Sequence, residues 1–317
     1  MTFTEFDKIT LLFIGLGFIA EMILLVLTKK FNKLKQYFST LIILIILCQA
    51  LLIYGSYIEP RWIDVRHENI QLNENGNSEL KVVIVSDFHV GPYKQDDFVA
   101  KAVEKINEQN PDLVLMPGDF IYSYPDQADF LYPLADLEAE LGVYAVLGNH
   151  DYGVGRKNKD DYNAEGAIAK SEYVVQKLEE FGVTVLRNEI VEIDHDNKLK
   201  LLGLEDIWGS RFDFNMDEFD ISDDDTVIFL EHNPDIVLYD EAEFSDLIIS
   251  GHTHGGQIRL PFWGPVPELP TVLGKEYDYG QFEYEGKQLY ITKGIGEMGP
   301  RARLFARPEI VVVKLSY

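Results

Sequence analysis

Five short stretches carry residue types that hold divalent cations: Asp87-Phe88-His89, Gly118-Asp119, Gly148-Asn149-His150-Asp151, Glu231-His232-Asn233-Pro234 and Gly251-His252-Thr253-His254. The last puts two of the chain's seven histidines one residue apart, ahead of two more glycines. Two carboxylates held close together repel, and shift each other's pKa, unless a cation sits between them. Mixed oxygen and nitrogen donors suit Mn, Fe, Zn or Ni better than Ca, with Mg a poorer match. One carboxylate shared by two cations ~3.5–4 Å apart is the arrangement of two-metal phosphoryl-transfer sites. On that reading His252 and His254 serve one metal each. The single cysteine, Cys48, lies in an apolar span, so any metal must use His, Asp, Glu or Asn. His67 and His195 fall outside the pattern and are read as ordinary surface or core residues. Phe88 and Thr253 are read as packing or spacing.

Each stretch follows an apolar run of strand length. "LKVVIVSD" ends in Asp87, "DLVLMPGD" in Asp119, and "VYAVLGNHD" in the Asn149 group. Asp87 and Asp119 are 32 residues apart, and Asp119 and Asn149 are 30 apart, each one strand-helix unit. Ligands of open α/β sheets bind at the carboxyl ends of strands, so this repeat sets the three side by side along one edge. The glycines before Asp119, Asn149 and His252 are expected to let the backbone turn sharply. Between the strands, "DDFVAKAVEKINEQN" aligns Phe98, Ala102, Val103 and Ile106 on one helical face, and Pro111 stops it. "ADFLYPLADLEAELG" reads as the next helix, broken near Pro133, and a third runs from about Glu165 to Phe181. Such alternation marks βαβ units and a mainly parallel inner sheet.

The second half reads as strands: a hairpin "EIVEIDHDNKLKLLGLEDI" turning at Asp196-Asn197, then "DTVIFLEHNP", "FSDLIISGHTHGG", "QLYITKGIG" and "PEIVVVKL". "NENGNS" is a polar turn and "KDDYNAEG", around Asp160, a polar loop. The expected fold class is α/β, a four-layer α/β/β/α sandwich over residues 79–317. Residues 59–78 form a linker and first strand.

The first 58 residues differ in kind. Ile9 to Leu27 is a 19-residue apolar span with Glu21 as its only charge. A second span, Leu41 to Tyr54, reaches bilayer length if it extends to about Ile58. A signal peptide begins with a basic region and ends at small-residue cleavage positions, and this start has neither. "LIILIILCQALLIYG" has no polar face, which fits poorly with a soluble core helix. The favoured reading is a retained transmembrane hairpin, with helices at about 9–27 and 40–58. Lys29, Lys30, Lys33 and Lys35 in the linker place it in the cytoplasm by the positive-inside rule. That reading gives a multi-pass cell-membrane protein with both termini, and the chain after about residue 58, outside. Tyr57 and Trp62 sit where interfacial anchors are found. The chain's net charge is −25 and residues 1–58 carry +2, so the remainder carries −27. Such a domain repels polyanions, which argues against dedicated nucleic-acid binding. No obligate protein partner is evident.

DxH, GD, GNHD, H and GHxH in this order resemble the motifs of the calcineurin-like metallophosphoesterase superfamily, over Leu80 to the C-terminus. The resemblance implies a hydrolase using two divalent ions, with Mn first and Fe, Zn, Ni or Mg as alternatives. It implies Asp87, His89 and His254 at one metal, Asn149, His232 and His252 at the other, and Asp119 bridging. His150 is then the group that protonates the leaving oxygen or stabilises the transition state, with Asp151 orienting its imidazole. Water activated by the metals would attack phosphorus in line. "GHTHGGQIRLP" and "KGIG…PRARLFARPEI" are similar to the membrane-associated bacterial branch, which includes YkuE- and YaeI-like phosphodiesterases and the membrane-anchored UDP-diacylglucosamine pyrophosphatases. Two apolar spans and no twin-arginine pair depart from that pattern. The implied substrate is a phosphoester or lipid-linked pyrophosphate. Arg259, Arg301 and Arg303 are candidates for its phosphate, since guanidinium matches that geometry bidentately. They could equally pair with surface carboxylates. The competing readings are a non-catalytic metal-binding scaffold or sensor at the membrane, a UDP-diacylglucosamine pyrophosphatase of lipid A synthesis, and a nuclease or protein phosphatase.

Overall fold

The computed structural model describes residues 4–73, 78–155, 164–195, 199–209, 219–222 and 224–317. Residues 74–77 of the expected turn at 73–78, residues 159–163 of the expected loop at 159–166, and the Asp196-Asn197 hairpin tip lie outside the described residues.

Two apolar helices lead the chain. α1 (Glu5–Lys30) starts at Thr4, whose hydroxyl accepts from the Asp7 N–H at 3.2 Å while Asp7 Oδ2 accepts from the Thr4 N–H at 3.0 Å, a reciprocal cap. α2 (Lys35–Ile53) runs on through a π-turn (Tyr54–Ile58) and a 3₁₀ turn (Glu59–Arg61). The connection is only residues 31–34, tighter than the 28–38 linker expected, because lysine, glutamine and leucine all extend helices well. Gln49 donates to the Ile14 carbonyl at 3.0 Å across Gly17, where a Cβ would overlap the Gln49 amide. The outer faces are bare, with Phe13, Met22, Val26, Ile43 and Leu47 all more than half exposed. Both helices are long and apolar enough to cross a membrane.

β1 (Asp64–Gln71), β2 (Glu79–Ile84), β3 (Leu113–Pro117), β4 (Val143–Val146), β5 (Thr184–Val185) and, from the C-terminus, β14 (Glu309–Ser316) make one sheet in the order β1-β14-β2-β3-β4-β5. β2 to β5 are parallel and β14 runs against β2. β6 (Glu189–Glu192), β7 (Leu199–Gly203), β8 (Thr226–Leu230), β9 (Leu247–Ser250), β12 (Gly280–Tyr284) and β13 (Lys287–Ile291) make the second, in the order β12-β13-β9-β8-β7-β6. A small ribbon, β10 (Arg259–Leu260) with β11 (Gly264–Pro265), stands apart.

Strand alternation builds the layers. Val82, Ile84, Leu113 and Leu115 meet Leu199, Leu201, Ile228, Leu230, Leu247 and Ile249 between the sheets. Val83, Val85, Val114 and Met116 face outward to Phe98, Val99, Ala102 and Ile106 of α3 (Asp96–Asn107) and to Val174 and Leu178 of α4 (Ala164–Glu180). Two layers differ from expectation. The helix read at 128–142 is a 3₁₀ run (Pro125–Asp136), since Pro133 inside it can donate no hydrogen bond. The outer face of the second sheet is covered by 3₁₀ turns (Pro234–Leu238 and Asp240–Phe244), whose Ile236, Val237 and Ala242 pack on Val227, Phe229 and Ile248.

The helical hairpin is docked on this sandwich. Arg301 Nη1 meets Asp7 Oδ1 at 3.2 Å, the Arg303 N–H donates to the Gly55 carbonyl at 2.8 Å, and the Ala306 N–H donates to Glu59 Oε1 at 2.7 Å. Residues 298–306 therefore act as a strap between the hairpin and the sheets.

Candidate metal centre

The carboxyl ends of β2, β3, β4, β8 and β9 converge. Register sets them level: Ile84 lies beside Leu115, Pro117 beside Val146, and Leu230 beside Ile249. Just beyond, five of the seven candidate ligands take left-handed backbone: Asp87 (φ 52°), His89 (43°), Asp119 (56°), His252 (68°) and His254 (53°). Each costs a non-glycine residue ~1–3 kcal/mol. A single buried Val, Leu or Ile contributes about as much, ~1.5–3 kcal/mol, so the strand cores behind them can hold the strain. Gly118 does turn with φ +78°, whereas Gly148 and Gly251 are needed for closeness. A Cβ on Gly148 would overlap Asp119 Oδ1, and one on Gly251 would overlap Ser86 Oγ and come within 2.5 Å of Asp87 Oδ2. Gly251→Ala is therefore expected to push Asp87 aside and weaken Mn binding ~10–100-fold, the scale of losing an outer partner of a metal ligand. Chelator competition checks this against Gly15→Ala, which has nothing within 4 Å.

Two clusters form. Asp87, His89 and His254 make the first: Asp87 Oδ1 lies 3.4 Å from His254 Nε2 and 4.0 Å from His89 Nε2, and the two imidazole nitrogens are 3.1 Å apart. Asp119, His232 and His252 make the second, with His252 Nδ1 3.0 Å from His232 Nε2. One oxygen serves both. Asp119 Oδ2 is 3.1 Å from His232 Nε2 and 3.4 Å from His89 Nε2. Asn149 joins the second cluster's pocket, its Oδ1 buried and without a hydrogen-bond partner.

The donor set fits cations. Nδ1 of His89 lies 3.3 Å from the Ile121 carbonyl and Nδ1 of His232 lies 2.7 Å from that of Pro117, fixing Nδ1–H and turning the Nε2 lone pairs inward. Burial pushes His89 down to about 3, and burial likewise depresses His252 and His254, so these rings are neutral and free to ligate. Burial opposes both charges of the Asp119–His232 pair, yet each keeps the other charged, Asp119 well below and His232 well above its usual range, so a bound cation would take the place of the His232 proton. Asp87 is pushed up to about 7 by burial, which His232 only partly offsets. Facing lone pairs and crowded carboxylates need positive charge between them.

His150 lies on the pocket rim, Nδ1 3.2 Å from the Tyr122 carbonyl, and its own N–H donates to Asp119 Oδ1 at 2.8 Å. Asp151 has a different part from the one expected. Its Oδ1 accepts from Phe120 and Ile121 N–H at 2.9 and 3.1 Å and its Oδ2 from Gly148 N–H at 2.9 Å, so it braces backbone, and the Tyr122 carbonyl sets the His150 ring.

The arginines are held by protein groups. Arg259 pairs with Asp278 at 2.5 Å and Arg301 with Asp7, while Arg303, fully buried, donates to the carbonyls of Lys293, Gly294, Gly296 and Ala306 and lies 3.4 Å from His254 Nδ1. None lines the cavity of about 480 Å³ over Asp119, Asn149, His150, His252 and His254. Trp208, edge-on to His252 at 4.7 Å, and Met298 are walls that sequence reasoning missed. It also missed Ser86, whose hydroxyl donates to Asp87 Oδ2 at 2.6 Å.

The model of the family described as calcineurin-like phosphoesterase matches residues 80–256. The chain belongs to that family. It is 31% identical over 270 residues to the metallophosphoesterase YkuE of Bacillus subtilis strain 168, covering 83% of this chain and 89% of YkuE. It is 28% identical over 274 residues to the phosphodiesterase YaeI of Escherichia coli K12, covering 83% and 92%. Similarity of 28% over 308 residues extends to the UDP-2,3-diacylglucosamine pyrophosphatase LpxG of Chlamydia trachomatis, covering 84% and 93%. The expected family, branch and fold are thus borne out, and the chain is a metal-dependent phosphoester hydrolase.

Proposed function

We propose that this hydrolase is anchored in the cell membrane by α1 and α2, faces outward, and cleaves phosphodiester or pyrophosphate bonds of a lipid-linked substrate. The observation that carries the chemistry is the single Asp119 oxygen reaching both clusters. Asp87, His89 and His254 would hold one ion and Asn149, His232 and His252 the other, with Mn as the first choice for mixed O/N donors. Such ions, when bound, lower the pKa of water and neutralise phosphoryl charge. His150, its Nδ1–H held by Tyr122, keeps Nε2 for the pocket and in protonated form would deliver a proton to the leaving oxygen. Trp208, Met298, Pro267 and Pro270 give the cavity apolar walls beside these polar groups, which suits a phosphate joined to an apolar body. The anchor is supported by the two bare apolar helices, and the outward domain by the lysines at residues 29–35. The relatives named for phosphodiesterase and pyrophosphatase activity lend the bond types.

The test uses the full-length protein in detergent with manganese, because the hairpin is docked on the sandwich. Lipid-linked diphosphates, diesters and monoesters are compared, with His150→Ala alongside. Turnover should be fastest on a lipid diphosphate or diester and fall ~10²–10⁴-fold in the variant, the usual share of a positioned acid. Two bound ions without turnover of any phosphoester would leave a metal-binding scaffold. Faster cleavage of DNA or phosphopeptides would overturn the substrate class.

A further inference from the structure

The ribbon β10–β11 is short, yet its tip is the most exposed apolar point among the described residues of the domain. Phe262 is fully exposed, Trp263 is 76% exposed, and Leu260 and Val266 are half exposed. Phe305 of the strap shares one recess with Leu260, Phe262 and Trp263. Large exposed aromatic clusters on a soluble surface mark a contact with something apolar.

Its position says with what. The Arg259 N–H donates to the Leu304 carbonyl at 2.9 Å and the Leu304 N–H to the Gln257 carbonyl at 2.8 Å, tying the ribbon to the strap. The next strap residue, Arg303, donates to Gly55, and a Cβ on Gly55 would sit 3.8 Å from Leu304. Gly55 lies four residues before Glu59, within the π-turn that closes the apolar span. Leu304 and Phe305 are thus already level with the boundary of any bilayer those helices cross. Trp62, just after the span, is half exposed and stacks on Arg307 at 3.8 Å, another aromatic at this level. Tyr57, expected there too, turns inward to Asp7 at 3.4 Å. With −27 on the domain, attraction to an anionic headgroup surface cannot bring it down, which leaves apolar insertion.

The ribbon also interrupts the lining of the catalytic cavity. Gly256 and Gln257 before it, and Pro267, Glu268 and Pro270 after it, all face that space. We infer that Phe262, Trp263, Leu260 and Phe305 dip into the lipid interface beside the anchor, and so set the cavity mouth against the leaflet to receive its phosphate from the membrane. This rests on the anchored reading above and adds a contact and a route for the substrate.

The full chain is reconstituted in phosphatidylcholine vesicles, with part of the lipid brominated near the top of its acyl chains, and tryptophan quenching is measured. Wild type should lose a quenched emission component that Trp263→Phe lacks. In the same vesicles, Phe262→Ser/Trp263→Ser should cleave a bilayer-embedded lipid diphosphate about tenfold more slowly at subsaturating substrate. Its rate on bis(p-nitrophenyl) phosphate should stay within about twofold of wild type. Equal quenching in wild type and Trp263→Phe overturns the inference, and so does an equal loss on both substrates. Trp263 shielded from bromolipid and from aqueous iodide alike identifies a protein occupant and also overturns it. Quenching at Trp263 with no cleavage of any lipid substrate would leave the inserted tip standing and remove the proposed substrate.

Discussion

Asp119→Ala is expected to bind neither equivalent of manganese tightly and to hydrolyse a diester at less than about a thousandth of the wild-type rate. Loss of one charge-stabilising group from a preorganised site costs ~10²–10³ in rate, and here a group common to both ions is removed. The other candidate ligands fall in one cluster each, so His232→Ala should cost one ion first and His254→Ala the other. Asp119 Oδ2 lies 3.1 Å from His232 and 3.4 Å from His89, at the junction of the two. Its Oδ1 also takes the His150 N–H at 2.8 Å, so the substitution loosens the turn that carries His150 too. Asp119→Asn guards against a folding artefact, because it can still accept that N–H while losing the charge. Elemental analysis of the purified full-length protein and diester turnover are the readouts. Two ions retained by either variant, or activity above a tenth of wild type, would mean that the carboxylate does not join the clusters.

Much of this centre was legible because its chemistry allows few residue types and each follows an apolar strand. Asp87, Asp119 and Asn149 come to one sheet edge, as the strand-helix spacing required, with His89 beside Asp87, and His232, His252 and His254 meet them from the ends of β8 and β9 in the second sheet. What orients them was not legible. The carbonyls of Pro117, Ile121 and Tyr122 set three imidazoles, and a backbone oxygen leaves no mark on residue type. Asp151 looked like a partner for its neighbour His150, yet the tight turn aims it at three backbone amides. Of the three glycines read as turns, only Gly118 has positive φ; crowding against Asp87 and Asp119 explains the other two and is visible only in three dimensions. Gly294 and Gly296 of the "KGIG" stretch belong to the same packing, since a Cβ on either would collide with Asp87 or its carbonyl. β14 closing the first sheet beside β1 and β2 was hidden for a related reason, as strand pairing across the whole chain has no local signal.

Arg301→Ala should lower the thermal midpoint of the detergent-solubilised protein by about 6–12 °C. Arg301 is 6% exposed and Asp7 1% exposed, 294 residues apart in sequence, so truncating one strands a buried charge. That costs ~3 kcal/mol or more, and each kcal/mol moves the midpoint of a domain this size by ~2–4 °C. The guanidinium also lies over Tyr57 at 5.0 Å and Tyr93 at 5.7 Å, so Arg301→Lys should recover only part of the loss. Asp7→Asn combined with Arg301→Met should recover more, since replacing both charges removes the stranded one. The strap carries the effect to the cavity: Met298 and Gly299 line it, and Met298 exchanges hydrogen bonds of 2.8 and 2.6 Å with Gln257. The KM for a diester should therefore rise in Arg301→Ala while two ions stay bound, and removal of residues 1–58 should do the same. If Arg301 met substrate phosphate instead, Arg301→Ala would raise KM with an unshifted midpoint, and Asp7→Asn would leave KM alone. A full-length Arg301→Ala that melts within about 1 °C of wild type would show that the docked hairpin gains nothing from this pair.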